Sequence, residues 1–220
     1  VTCPRCGHEQ PEPRAVYSTV CRQCGQHLRL QEVDRPVPPR PRRMPELKRI
    51  TCFDCGAELE VALSAQSTIC KWCSSYIDLE DYRIAHAVSR NFRTKGAFVV
   101  ELKGYALNSE AVVGDAIIRG RFLGKLVATG TLTLYSTAEI KGSITAGCLV
   151  IPVGNHFRWQ ERIRVGSAHI AGELAADLMA TGRVLLASTA RLFGNLEARD
   201  LLVEAGAVVV GYAHVGLSAA

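Results

Sequence analysis

The chain has 220 residues, 48% of them hydrophobic and 21% charged, with a formal net charge of +5. That balance excludes a disordered chain and leaves room for more than one domain. No run of about 18 apolar residues is present to cross a bilayer, and the first residues are polar and cysteine-bearing rather than an apolar leader, so a cytoplasmic location is expected. The sequence opens on Val1 instead of Met, as a trimmed chain or a non-standard start codon would give.

Eight of the nine cysteines form four Cys-x-x-Cys pairs, all before residue 74: Cys3/Cys6, Cys21/Cys24, Cys52/Cys55 and Cys70/Cys73. In a reducing compartment this pattern points to metal rather than to disulfides. Fourteen residues separate the pairs in each half, 7–20 and 56–69, which is close to zinc-ribbon spacing. A tight turn lets both thiolates of a pair face one ion, and two pairs complete a tetrahedron. Gly7, Gly25 and Gly56 follow the second cysteine of a pair, where the knuckle needs a left-handed backbone, and Ser74 takes that place in the fourth pair. Two structural Zn2+ ions are therefore expected, one per module. A redox pair or a site that has lost its metal is the competing reading, and the matched spacing of the two modules argues against it. A four-thiolate site leaves no open position for water, so catalysis at the metal is not expected. Arg5, Arg22 and Lys71 inside the knuckles either offset thiolate charge or are solvated surface residues. His8 and His27 are nearby, but four cysteines already suffice.

Residues 1–32 thus form a first module and 48–82 a second. Between them, 33–47 is a spacer in which Pro36, Pro38, Pro39, Pro41 and Pro45 alternate with Arg35, Arg40, Arg42 and Arg43. Proline at this density favours an extended, polyproline-like linker. Its arginines are candidates for contact with an anionic membrane surface or nucleic acid, against the plainer reading of a solvated spacer. The basic excess lies in this half, with 15 Lys/Arg against 11 Asp/Glu in 1–95 and 11 against 10 in 96–220. A short helix or connector is expected from residue 76, with 83–95 as the connector to the next domain.

Residues 96–220 repeat. A shift of 52 residues aligns Ala116 to Ile151 with Ala168 to Val203, with identities at Gly120/Gly172, Leu126/Leu178, Gly130/Gly182, Leu134/Leu186 and Gly142/Gly194 among others. A finer step of 17 carries Ala190-Arg-Leu192-Phe-Gly194 onto Ala207-Val-Val209-Val-Gly211, and three such units account for the longer period. Alternation as in Ile140, Gly142, Ile144 and Ala146 is strand periodicity. Short strands on a 17-residue unit predict a parallel β-solenoid with three faces per coil, Ile140 stacking with Phe157 and Leu192 with Val209. Residues 154–166 break the pattern and are expected to form a bulged coil.

The phrases Ala138-Glu-Ile-Lys-Gly142-Ser-Ile-Thr-Ala146 and Ala190-Arg-Leu-Phe-Gly194-Asn-Leu-Glu-Ala198 resemble the repeats of bactofilins, bacterial polymer-forming cytoskeletal proteins. The resemblance covers about 96–216. It implies a right-handed β-helix of about six coils that polymerises end to end without nucleotide, often at the membrane. Here a cysteine-rich region replaces the short N-terminal tail of that family, which puts membrane attachment by such a tail in doubt.

The leading expectation is an all-β structural homopolymer in the cytoplasm, at or near the inner face of the membrane, whose zinc ribbons serve as a docking head for a protein partner. Solenoid ends expose bare strand edges, neither end reads as capped, and Val208, Val209 and Val210 are the expected assembly surface. One alternative is a nucleic-acid-binding regulator that uses the ribbons and linker and is oligomerised by the solenoid. Another is a β-helix acyltransferase, against which stand the missing six-residue repeat and the lack of an identifiable active-site histidine. His156, His169 and His214 are scattered, and Cys148 stands alone among apolar residues. No catalytic grouping, phosphate loop or small-molecule substrate is expected.

Overall fold

The computed structural model describes residues 1–13, 16–29 and 46–216, and these contain strands, turns and bends but no helix. The proline-rich stretch, with Arg35, Arg40, Arg42 and Arg43, lies outside the described residues. The chain divides into two compact units, Val1–Met44 and Pro45–Ala220.

The first unit is a small module with one antiparallel hairpin, Ser18–Val20 against His27–Arg29. Its buried apolar side chains are Cys3, Cys21 and Leu28. So little apolar surface cannot offset the entropy of ordering the chain, which leaves the cysteine cluster as its organising element.

The second unit begins with a comparable but larger module. Leu47–Thr51 pairs with Glu58–Ala62, and Ser67–Ile69 pairs with Tyr76–Asp78. Leu59, Val61, Ile77 and Leu79 join Cys52 and Cys70 in its core.

From Tyr82 onward the chain winds as a parallel solenoid of eight coils and three faces. On the first face, Tyr82–Ile84, Ala97–Val100 and Asp115–Ile118 are followed by the second parts of Arg121–Leu134, Glu139–Ile151, Ile163–Ile170, Leu178–Leu186 and Leu196–Val203. Two coils more than the resemblance implied are present. The first coil is built from residues expected to be a connector or short helix: Tyr82–Ile84, Ala87–Val88 and Phe92–Arg93 each pair in parallel with the next coil. Polar outward side chains such as Arg83, His86 and Arg90 hid this coil in the sequence.

The 52-residue register and the Leu192–Val209 stack are borne out, whereas Ile140 pairs with Phe122 and Phe157 with Leu174, in separate sheets. Ala116 and Ala168, 52 residues apart, hold the same first-face position three coils apart, and Leu192 pairs with Val209. Inward residues alternate with outward ones, so Ile140, Ile144 and Ala146 are buried while Lys141, Ser143 and Thr145 are exposed. Phe98, Phe122, Leu126, Leu132, Leu149 and Leu174 are fully buried along one continuous core, each contributing about 1.5–3 kcal/mol. The coil holding Gly154 to Gly166 is the longest, with 19 residues from Leu149 to Ala168. Trp159 stacks on Phe157 there, with ring centroids 6.1 Å apart.

Corners between faces are tight. Gly142 stacks on Gly124 at the turn from second to third face, with φ of 127° and 142°. A Cβ on Gly142 would run into the Gly124 carbonyl oxygen. Gly142→Ala is expected to lower the unfolding free energy by about 1–3 kcal/mol through backbone strain, with further loss from the clash. Gly154→Ala, at φ 73° with open space around the new methyl, should cost about 1 kcal/mol. Urea unfolding followed by circular dichroism compares them, and equal losses would show that the coil contact is not limiting.

Candidate metal centres and their junction with the solenoid

Each Cys-x-x-Cys pair is held by the same two backbone hydrogen bonds. The amide of the first cysteine donates to the carbonyl five residues on, as Cys3 to His8 (2.9 Å), Cys21 to Gln26 (2.8 Å), Cys52 to Ala57 (2.9 Å) and Cys70 to Ser75 (2.9 Å). The amide of the residue after the second cysteine donates back to the first cysteine's carbonyl, as Gly7 to Cys3 and Ser74 to Cys70, both 2.9 Å. That residue is left-handed in every knuckle, at φ 72°, 70°, 71° and 60° for Gly7, Gly25, Gly56 and Ser74. The serine therefore adopts the conformation that the three glycines adopt without steric cost.

The four pairs meet as two clusters, Cys3/Cys6/Cys21/Cys24 and Cys52/Cys55/Cys70/Cys73, with all sulfurs of a cluster within 4.8 Å of one another. Sulfur separations of 3.6 Å recur in both, between Cys3 and Cys24, Cys6 and Cys21, Cys52 and Cys73, and Cys55 and Cys70. Four sulfurs each about 2.3 Å from one ion at tetrahedral angles stand about 3.8 Å apart, so both clusters fit a metal ion that prefers thiolates. All eight ligand expectations are thus brought together, and neither cluster includes a histidine.

The protons of the clusters are shared unevenly. The His8 amide lowers the Cys6 thiol, but burial and the neighbouring thiols outweigh it and push Cys6 up to about 12. Burial raises Cys21, yet backbone donors from Cys24 and Gln23 and the Cys6 thiol bring it down to about 6. In the second cluster Cys55 rises to about 12 despite the Ala57 amide, while hydrogen bonds from Ser75 lower Cys73 to about 6.

Several partners were not legible in the sequence. Gln10 is buried, its side-chain nitrogen donating to Glu12 (2.7 Å) and the Val20 carbonyl (3.2 Å) while its oxygen accepts from the Arg22 amide (2.9 Å). The second module is joined to the solenoid by backbone. Asp78, last residue of its hairpin, bridges Thr94 in the first coil; the Lys95 amide donates to the Asp78 carbonyl (2.8 Å), and the Thr94 hydroxyl donates to the Glu80 carbonyl (2.8 Å). Phe53, in the first knuckle of the second module, lies under Lys95 Nζ, 3.9 Å from the ring centroid, and Asp54 pairs with Arg93. Burial lowers the Lys95 ammonium below its ordinary value, and the ring face and the Thr51 and Thr129 hydroxyls, each at 3.4 Å, receive it. The second cysteine module thus shares hydrogen bonds with the solenoid's first coil.

Other marked residues stay apart. Arg5, Arg22 and Lys71 are exposed, as are His156, His169 and His214, and Arg22 lies 3.9 Å from Glu12. Cys148 is half-buried and faces outward on the first face. Of the three valines expected at an assembly surface, only Val209 points inward against the core, while Val208 and Val210 face outward and are exposed. No helix among the described residues is long and apolar enough to cross a membrane. No protein-family model, curated protein or solved structure matches the chain.

Metal binding must expel the protons held by thiols such as Cys6 and Cys55, so affinity should rise with pH and metal should leave on acidification. Two equivalents per chain are expected at neutral pH. Cys3→Ser and Cys52→Ser should each remove one, and hydrogen exchange in the first coil should speed up for Cys52→Ser. Metal analysis with exchange mass spectrometry checks this, and unchanged exchange in that coil for Cys52→Ser would contradict the shared junction.

Proposed function

We propose that the protein is a self-assembling scaffold whose solenoid joins end to end into filaments, with two structural Zn2+ ions holding a docking head at one end. The observation that carries this reading is the state of the last coil. Val203 and Val215 are each 47% exposed, whereas Leu186 and Ala198, their ladder neighbours one coil earlier, are fully buried. Val209 is likewise partly exposed where Leu192 is sealed. Covering such side chains releases about 25 cal/mol per Å2, and a coil of the same pitch from another copy matches them rung for rung. The bactofilin-like repeats of 96–216 support the same reading.

The two ends differ. At the N-terminal end the Arg90 guanidinium lies over the rings of Tyr82 and Phe92, 5.1 and 4.7 Å from their centroids. This cover was not expected from the sequence, in which neither end reads as capped. Association then starts at the last coil, and growth through the first coil requires both the Arg90 guanidinium and the hairpin strand that ends in Asp78 to move aside.

Zinc is favoured over other metals by four-thiolate tetrahedral sites with no open position. The second module offers a surface for a protein partner, because Ile69, Trp72 and Tyr76 are 63%, 78% and 66% exposed and Ile69 and Tyr76 are cross-strand neighbours. Contact of the linker arginines with an anionic membrane or nucleic acid remains a subsidiary part of the proposal, resting on their charge alone.

Val209→Arg places an unpaired charge in the end contact, a penalty of about 3–5 kcal/mol, and disturbs only the last coil. It should abolish filaments in negative-stain images while keeping the parent's β-rich circular dichroism. Deleting 1–45 should leave filaments intact. Filaments from Val209→Arg, lost instead on deletion of 1–45, would assign assembly to the first metal module and overturn this account.

A further inference from the structure

The three solenoid faces differ in their outward side chains. On the second face, successive coils present Arg121, Glu139, His156, Glu173 and Arg191. On the first face the corresponding ladder from the second coil to the eighth is Val99, Ile117, Thr133, Val150, His169, Leu185 and Leu202, with His169 its only ionisable member. Leu202 is 54% exposed and the other apolar members are half-buried. The stripe spans six coil intervals, about 29 Å at the usual strand spacing. The second-face column above is charged in four of its five named coils.

The geometry points to a second copy of this chain as its occupant, packed face to face with the solenoid axes antiparallel. A sheet of the same rung spacing fits such a ladder at about 10 Å, and an isologous contact requires that where residue i meets j, j also meets i. Two of the charges beside the stripe meet that condition, while Asp200, the rung neighbour of Arg183, comes opposite Ala97. Two residues before Val150, Cys148 faces outward in the fifth coil; in the same column Asp115 stands two coils before it and Arg183 two coils after. A two-fold axis along the strand direction through the fifth coil sets Asp115 against Arg183 of the second copy and the reverse, with Cys148 facing Cys148. Asp115 and Arg183 are both exposed, and Arg183 forms no ion pair among the described residues. On the other flank Glu101 comes opposite Glu204 of the second copy, but its charge is already met by Arg83 at 3.3 Å and Arg119 at 3.9 Å. A parallel pair instead sets Asp200 against Glu204 and leaves Arg183 facing Ala187. The contact is lateral, so it is separate from the joining of ends.

The test uses the full, metal-loaded chain with Val209→Arg to keep ends apart. Sedimentation should show a dimer that Val150→Lys converts to monomer, without change in circular dichroism. Asp115→Arg and Arg183→Asp should each weaken the dimer about tenfold, and the two together should restore it. A short bifunctional maleimide should link the dimer covalently, with no product from Cys148→Ser. A monomer before any further substitution, no restoration in the double variant, or a dimer that Cys148 cannot cross-link would each overturn the antiparallel pair. If Val209→Arg still forms filaments, the account of the ends fails while the lateral pair is read from the Cys148 cross-link alone, present before and absent after Cys148→Ser.

Discussion

The structure depends on a parallel backbone ladder that stitches each coil to the next in register. Parallel pairing leaves no room for a slip of one residue, because that slip would turn every inward side chain outward. Coil length therefore varies only between narrow limits, from 16 residues between Ala116 and Leu132 to 19 between Leu149 and Ala168. The extra residues are absorbed at corners, where Trp159 folds back against the core. The core is a set of stacked columns, and each layer is covered only by the layers before and after it. The two ends are consequently the places where the sequence must do something different.

It does different things at each. At the start, aromatic rings replace aliphatic side chains, with Tyr82, Phe92 and Phe98 at centroid separations of 5.4 and 4.9 Å. Their π-faces accept a guanidinium, which an aliphatic layer would not. The Tyr82 hydroxyl donates to Asp78 at 2.6 Å, tying the same layer to the hairpin of the second cysteine module. At the far end small valines and alanines take the inward places, and Val203, Val209 and Val215 of the last described layer are partly exposed.

Much of this was legible in the sequence, for a physical reason. A solenoid repeats one environment, so the residues meeting it recur, and the 17- and 52-residue steps report coil length directly. The metal clusters were legible because ligand geometry fixes both spacing and turn conformation. The first coil was not, because its outward residues are polar and its inward ones, Tyr82, Ile84, Val88 and Phe92, follow no glycine-marked unit. The contact of Phe53 with Lys95 was equally hidden. An aromatic residue inside a knuckle and a lysine 42 positions later carry no shared local pattern, and only the Asp78 bridge to Thr94 brings them together.

That bridge has a kinetic meaning. Repeat proteins fold by nucleation followed by propagation along one dimension, and the first coil carries the largest entropic cost because it has no neighbour to pair with. Here the hairpin strand that ends in Asp78 offers the first coil one such neighbour, bridging Thr94 where that coil closes. A hairpin that orders first would therefore lower the cost of closing it. An ion bound by Cys52, Cys55, Cys70 and Cys73 would then favour closure of the first coil as well as order in its own module.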